Sequence, residues 1–410
     1  MTTDGRTFGA HIAHMRRARG FSQTELATEL EVTRTHVSSW ENDRRLPRRA
    51  QLEALAEALG APELLTWSVD RAGESARPAF GGPMSLTLLR RNVGRALLDH
   101  LSEDVANDGR PGYGWRHELD DHTRRISALS TAYGLRAMML AGGRDWQVSQ
   151  PRVREMLRRL ELPTGGWSAL TMSPLARPEV TGVVLSALHD AGEDEQYIAD
   201  HLGIVVEALD RRIQGEEPAR PYVLAASLLE LSRLGLDDAE GHRFAQSLVD
   251  LAEPVDGAHA WPVVVRPRSL GTSTPSTTHT ACAVTALTAW ARRLNDLALL
   301  EIAMSGRTWL EAHAELGLDD EEIRSERADG GEEQLVVRHF TPAWILRALM
   351  DTGADPMDPL PQAALRAVGS YYSHEDALWR WPGSGGSFPV WMTWHGLVSI
   401  ISWVDARDVG

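Results

Sequence analysis

Residues 117–123 read HELDDHT, three acids, two histidines and a threonine in seven positions. An apolar run, ISALSTAYGLRAMMLAGG, follows closely. Adjacent carboxylates in such a turn can do two things. A carboxyl kept neutral by its surroundings can act as a general acid. Ionised carboxylates ahead of a helix complement its dipole. A working acid needs a tuned environment that residue types alone do not supply. No catalytic residue is therefore assigned, and Asp120 and Asp121 are taken as ligand-facing candidates.

Other chemistry-bearing residues are more scattered. His279 and Cys282 stand three apart, as two groups on one helix face would, and His395 occupies the repeat position of Cys282. One thiolate and two imidazoles hold zinc only if water or a carboxylate completes the set. A lone cysteine in an apolar helix is ordinarily a small buried hydrophobe. No metal and no cofactor are expected. Trp344, Trp391 and Trp394 could line an aromatic cavity, although aromatics also fill helical cores. Thr131, Thr181, Thr280 and Thr393 begin apolar runs and read as N-caps or first-turn residues. Arg124, Arg125, Arg177, Arg220, Arg268 and Arg338 lie near the same runs and would suit an anion. The expected ligand set is Asp120, Asp121, His279, Trp344, Trp391 and His395.

The elements that must position these groups fall into two regions. The chain has 410 residues, enough for two or three domains. Its net charge of −15 repels phosphate overall, so any nucleic-acid contact must be local. All 42 basic side chains are arginine. A single cysteine excludes an internal disulfide. No stretch reaches the roughly 18 apolar residues of a membrane helix, and a cytoplasmic location is expected. A first domain is read at 1–68, a linker rich in Gly, Pro, Ser and Ala at 69–84, and a second domain at 85–410.

Residues 7–67 read as five short helices. Phe8, Ile12 and Met15 form an apolar stripe, and Gly20 stops the first helix. Ser22 and Glu25 form a capping box. Thr33 caps a helix that turns Val37 and Trp40 inward, and Pro47 ends the segment. The run G-F-S-Q-x-x-L-A-x-x-L-x-V-T-x-x-x-V-S-x-W-E-N-x-x-R-x-P resembles the phage-repressor (Cro/XRE-type, lambda-repressor-like) helix-turn-helix family. That resemblance implies double-stranded DNA as partner, a second motif helix lying in the major groove, and a homodimer on a near-palindromic site. It places Thr33, Arg34, Thr35, His36 and Ser39 toward base edges. Gln23 would start the helix that meets backbone or base, and Arg44, Arg45 and Arg48 would meet phosphates.

After residue 84 a repeat appears. Aligned on Thr131, Thr181, Tyr222, Thr280, Pro342 and Thr393, small and apolar residues recur six times at helical spacing. Six polar, one-faced helices alternate with these six apolar ones. An inner and an outer ring follow, so the fold class is all-α: a five-helix repressor-like domain, then an (α/α)6 toroid. Gly/Trp turns precede several inner helices: GYGWRHE, TGGWSAL, DGAHAWPV and WRWPGSGG. This resembles the terpenoid cyclase and protein prenyltransferase superfamily, while certain glycoside hydrolases share the same periodicity. Class II cyclases carry D-x-D-D, whereas Glu118 opens the run here. That departure argues against catalysis, and the ring is expected to be a non-enzymatic sensor for a small molecule or protein partner. The expected function is a DNA-binding transcriptional regulator. The alternatives are a terpenoid-cyclase-like enzyme with a DNA-binding head, and a phage-defence scaffold.

Overall fold

A computed structural model describes residues 8–30, 32–41, 47, 49–61, 64, 86–142, 144–170, 173–215, 220–264, 274–326, 332–382 and 386–409. The expected linker at 69–84 lies outside the described residues, as does most of the expected fifth helix of the first domain.

The first domain contains α1 (Phe8–Ala18), α2 (Gln23–Glu29), α3 (Arg34–Glu41) and α4 (Arg49–Leu59). Gly20 takes a positive φ of 78° where the chain leaves α1, a region that costs glycine little. Ser22 and Glu25 make the reciprocal capping box at 3.2 and 2.7 Å. Ile12, Leu26, Val37, Trp40, Leu55 and Leu59 are fully buried together. A three-residue clamp fixes the helix angles. Glu41 at the end of α3 accepts from Arg16 of α1, with Nη2 at 3.0 Å, and from Gln23 Nε2 of α2 at 2.8 Å.

The second region is a closed ring of helical hairpins. The outer helices are α5 (Leu86–Asp99), α7 (Arg144–Arg159), α9 (Glu195–Ile213), α11 (Asp238–Asp250), α13 (Leu297–His313) and α15 (Pro359–Ser370). The inner helices are α6 (Ala128–Ala141), α8 (Pro178–Asp190), α10 (Pro221–Leu231), α12 (Thr277–Leu294), α14 (Thr341–Asp351) and α16 (Val390–Val409). Each inner helix packs on the next, and α16 packs back on α6 to close the circle. The all-α toroid therefore stands.

Among the described residues, four two-stranded hairpins interrupt the helices, an addition the periodicity does not announce. They are β1 (Ser102–Val105) with β2 (Pro111–Gly114), β3 (Glu253–Val255) with β4 (Ala258–Ala260), β5 (Asp319–Glu326) with β6 (Glu332–His339), and β7 (Tyr372–Ser373) with β8 (Leu378–Trp379). Each joins an outer helix to the inner helix that follows.

A tryptophan staples the two rings together four times. Trp115 Nε1 donates to the Leu97 carbonyl at 2.8 Å, and its backbone N–H donates to Thr131 Oγ1 at 3.2 Å. Trp167 pairs likewise with Leu157 at 2.8 Å and Thr181 at 3.1 Å. Trp261 pairs with Leu248 at 2.8 Å and Thr280 at 3.0 Å. Trp379 pairs with Val368 at 3.0 Å and Thr393 at 3.3 Å. Each carbonyl lies in the last turn of an outer helix, and those of Leu97, Leu157 and Leu248 also accept the backbone N–H three residues on, at 3.2, 3.2 and 3.3 Å. The threonines thus stand in the first turn, the second of the two expected readings, and serve as acceptors for a neighbouring turn rather than as N-caps. Ser127 and Ser276 cap α6 and α12 instead. The rings demand close backbone approach: a Cβ on Gly134 would fall 2.4 Å from Trp115, and one on Gly396 2.4 Å from Trp379.

Two substitutions test this staple. Thr280→Val should strand the buried Trp261 N–H and cost about 1–3 kcal/mol, read as a lowered thermal midpoint of the ring. Gly396→Ala should cost about the same by overpacking. Melts indistinguishable from the parent would remove the staple from the account.

Candidate functional site

The N-terminal halves of α6, α8, α10, α14 and α16 converge on a cavity of about 340 Å³, within the usual size range of ligand sites. Tyr133, Val183, Ala226, Trp344, Trp391 and His395 form its inner wall. His117, Glu118, Arg124 and Arg125 from the acidic turn contribute a polar side, and residues 334–339 of β6 form another wall.

The inner wall is aromatic. Trp344 and Tyr133 flank the His395 ring at 4.8 and 5.4 Å between centroids, and Trp391 meets Trp381 at 5.7 Å. Burial, with Arg347, Arg136 and His339 nearby, pulls the His395 imidazole down to about 3. Burial also pulls His117 down to about 4, against the opposing pull of Glu118. Both rings are neutral at pH 7. The polar side is paired: Arg338 Nη1 donates to Glu118 Oε1 at 3.0 Å. Glu179 in the first turn of α8 also lines the cavity, and its Oε2 has no hydrogen-bond partner among the described residues. Behind the wall Arg136 of α6 makes two bonds of 2.9 Å to Glu230 of α10, and its guanidinium lies 4.5 Å from the Trp394 ring.

The acidic turn has a different task from the one its composition suggests. Its backbone is stitched to the segment before α16: Leu119 N–H donates to Phe388 O at 3.1 Å and Val390 N–H to His117 O at 3.4 Å. Asp120 Oδ1 accepts from Phe388 N–H at 3.3 Å. Asp121 accepts from Thr123 N–H at 3.0 Å and from Arg124 Nε at 3.0 Å. The Thr123 hydrogen bonds, aided by Arg124, hold the Asp121 carboxyl below its ordinary value. Neither aspartate is among the cavity's lining residues. Both are therefore corrected from ligand groups to closing and turn-forming groups, and Asp121 is ionised rather than a neutral acid.

Of the six expected ligand residues, Trp344, Trp391 and His395 line the cavity. His279 stands one layer behind, in ring contact with Tyr222 at 5.7 Å and His339 at 5.6 Å between centroids. It meets neither Cys282 nor His395 as a joint donor set; the cluster it joins is His279, Glu321 and His339. Burial pushes the Cys282 thiol up, as for an inert hydrophobe. Glu321, His339, Tyr133 and Tyr222 are absent from the sequence-based set. The short apolar run Leu335, Val336 and Val337, with two β-branched residues, is the signal that could have placed His339 on a strand.

In the first domain Arg34 is exposed at the start of α3. Thr33 Oγ1 accepts from His36 N–H at 3.4 Å, and the His36 ring stacks near Trp40 at 6.3 Å. Thr35 and Ser39 lie on the same helix. Gln23 spends its amide N–H on Glu41 and so braces α3. Arg44, Arg45 and Arg48 lie outside the described residues.

Residues 7–66 match the family model described as a helix-turn-helix domain. The chain thus carries an N-terminal helix-turn-helix domain, the basis for DNA binding. No curated protein sequence matches the chain. Among solved structures, a family 76 glycoside hydrolase from a bovine Bacteroides thetaiotaomicron strain is similar, with a TM-score of 0.52, 9% identity, and coverage of 80% of this chain and 79% of that one. An inactive variant of the α-1,6-mannanase GH76A of Salegentibacter sp. HEL1_6, in complex with a mannotetraose, has 12% identity, coverage of 79% and 99%, and a TM-score of 0.49. Unsaturated glucuronyl hydrolase from Bacillus sp. GL1 has 14% identity, coverage of 80% and 96%, and a TM-score of 0.43.

These findings correct two expectations. The ring belongs to the (α/α)6 toroid class and is not specifically terpenoid-cyclase-like. The expectation of a non-enzymatic ring is corrected as well: the toroid fold it shares with a family 76 glycoside hydrolase is one that carries catalysis, so the fold does not mark the ring as a sensor.

The neutral His395 has a measurable consequence. Free histidine titrates near 6.5. Between that value and about 3 the unfolded chain takes a proton that the folded ring refuses. Its contribution to stability is complete above about pH 6.5 and is lost as pH falls. The ring's thermal midpoint should drop on acidification from about pH 7 to about pH 4, and His395→Gln should flatten part of that slope. An unaltered slope in the variant would contradict a neutral, buried ring.

Proposed function

We propose that the chain is a sequence-specific transcriptional regulator of the Cro/XRE type, acting in the cytoplasm as a dimer on a near-palindromic site, whose toroid takes a carbohydrate-class ligand in its cavity. The observation that carries the DNA reading is the helix-turn-helix match over residues 7–66. It is supported by a capped α3 with Arg34 exposed at its N-terminal end, where base edges are read. The overall charge of −15 confines the contact to this head.

The ligand class is inferred from the cavity lining. Tryptophan and tyrosine faces suit the C–H face of a pyranose, while Glu118, Arg338 and Gln334 offer partners for hydroxyl groups. A bound ligand would bias DNA affinity through its differential binding to DNA-competent and incompetent states. The second reading is glycoside hydrolysis in the same cavity. Glu118 and Glu179 both line it, and glycosidases use a pair of carboxylates. The toroid fold shared with a family 76 glycoside hydrolase adds support at the level of architecture. A terpenoid-cyclase reaction has less support, since Asp121 is ionised and tied to Thr123 and Arg124.

Genomic fragments retained by the purified protein should share a motif. Arg34→Ala should weaken binding to it by roughly 1–3 kcal/mol, about tenfold or more, if Arg34 reads a base. Retained fragments without a common motif, or an unchanged affinity, would refute the DNA reading. For the ring, a panel of neutral and uronic oligosaccharides should raise the thermal midpoint for one member, and Trp391→Ala should abolish the rise. Release of reducing sugar that is lost in both Glu118→Gln and Glu179→Gln would establish the hydrolytic reading. No shift and no release across the panel would remove carbohydrate from both.

A further inference from the structure

The β5–β6 hairpin brings two chemistry-bearing residues to one face. In its register Glu321 opposes Val337 and Asp319 opposes His339. Glu321 and His339 are therefore diagonal neighbours across the ladder, with side chains on the same side. That side meets the first turn of α12, which carries His279. All three side chains are buried, with relative exposures of 9% for Glu321, 2% for His339 and 1% for His279.

The geometry is that of ligands around a shared centre. His279 Nε2 stands 3.5 Å from one Glu321 oxygen and His339 Nε2 stands 3.7 Å from the other. The three donor atoms lie within 4.8 Å of one another. A tetrahedral ion about 2.1 Å from nitrogen and oxygen donors sets neighbouring ligands roughly 3.4 Å apart. The tautomer is also prepared. His279 Nδ1 is 2.9 Å from the Pro262 carbonyl, an acceptor only, so Nδ1 holds the proton and the neutral ring keeps its lone pair on Nε2. Such an outer hydrogen bond fixes the orientation of a metal-binding imidazole.

The donors are otherwise unspent. Among the described residues neither Glu321 oxygen nor His339 Nε2 has a hydrogen-bond partner. Buried polar atoms in folded proteins are nearly always satisfied, so three in one cluster need an explanation. Arg220 Nη1 approaches Glu321 at 3.8 Å, an ion-pair separation beyond hydrogen-bond reach.

We propose that His279, Glu321 and His339 form a binding site for a divalent transition-metal ion of the zinc class, with its remaining coordination position toward the cavity. Two imidazoles and one carboxylate suit such an ion, and three protein ligands leave a position for water or an incoming oxygen. His339 lines the cavity, as does Tyr222, whose ring meets both histidines. The site is independent of the DNA reading and of the ligand class. It can stand or fall while those do otherwise.

The test uses the full chain after chelation and dialysis. Zn2+ titrated by calorimetry should bind one equivalent per chain at micromolar or tighter affinity. Co2+ should give the visible bands of a four- or five-coordinate site and be displaced by Zn2+. Glu321→Gln and His339→Asn should each weaken binding beyond the roughly 10–100-fold that outer-shell changes cost, with far-ultraviolet dichroism reporting whether each variant folds. X-ray absorption of the zinc-loaded parent supplies a reading that no variant can spoil, and it should show two imidazoles with oxygen completing the shell. Failure of the parent to bind, undiminished binding in folded variants, or a shell containing sulfur would each overturn the proposal.

Discussion

A single side chain doing two jobs underlies the ring. In four of the six hairpins an indole N–H satisfies a carbonyl at the end of an outer helix, while the same residue's backbone N–H is held by a threonine one turn into the inner helix. At the Leu97, Leu157 and Leu248 carbonyls the indole joins a backbone N–H from three residues on, so it fills the second acceptor position of a carbonyl at the helix end. The tryptophan therefore fixes how far each inner helix is inserted relative to its outer partner. Gly134 and Gly396 let the indole rest against the inner backbone. Constant insertion brings the N-terminal halves of the inner helices to one level, and the cavity opens at that level.

Charge inside the ring follows a related rule. The chain carries a large negative excess, yet the charge behind the cavity's inner wall is matched in place. Arg136 is shared between Glu230 and Asp190 and covered by Trp394. A buried ion pair is weak evidence for stability, but breaking one partner is expensive. This one joins α6, α8 and α10 beneath the cavity, so it defines the inner wall from behind. At the rim the pairings are more exposed, as between Arg338 and Glu118, and a polar ligand can compete for them.

Much of the architecture is legible in the sequence because its signals are local and repeated. Phe8, Ile12 and Met15 recur at helical spacing, and Ser22 with Glu25 states a helix start outright. Six apolar runs alternating with six one-faced runs reveal two rings. Trp344 and His395 share a repeat position and Trp391 lies one helical turn before His395, all near inner helix starts, where the cavity opens. Most of the failures involve distance in sequence. Asp120 and Asp121 look like an acid pair until Phe388, far along the chain, claims Asp120 and Thr123 claims Asp121. Thr131 looks like a cap until Trp115 claims it. Glu321 and His339 carry no motif, since only the pairing of two strands, set against a helix begun some forty residues earlier, brings them to His279. His279 itself is conspicuous by type, but the partners suggested by spacing, Cys282 and His395, are not the ones it meets.

The stitching of residues 117–120 to residues 388–390 works as the buckle of a belt. Tyr133 on the first inner helix and His395 on the last are ring neighbours across that buckle. An emerging chain can therefore build hairpins one after another, each on its own local contacts, and still have no cavity. The binding surface comes into being only when the last helix docks on the first, a contact between sequence-distant segments that is intrinsically slow to form. Whatever occupies the cavity can be recognised only by a ring already fastened.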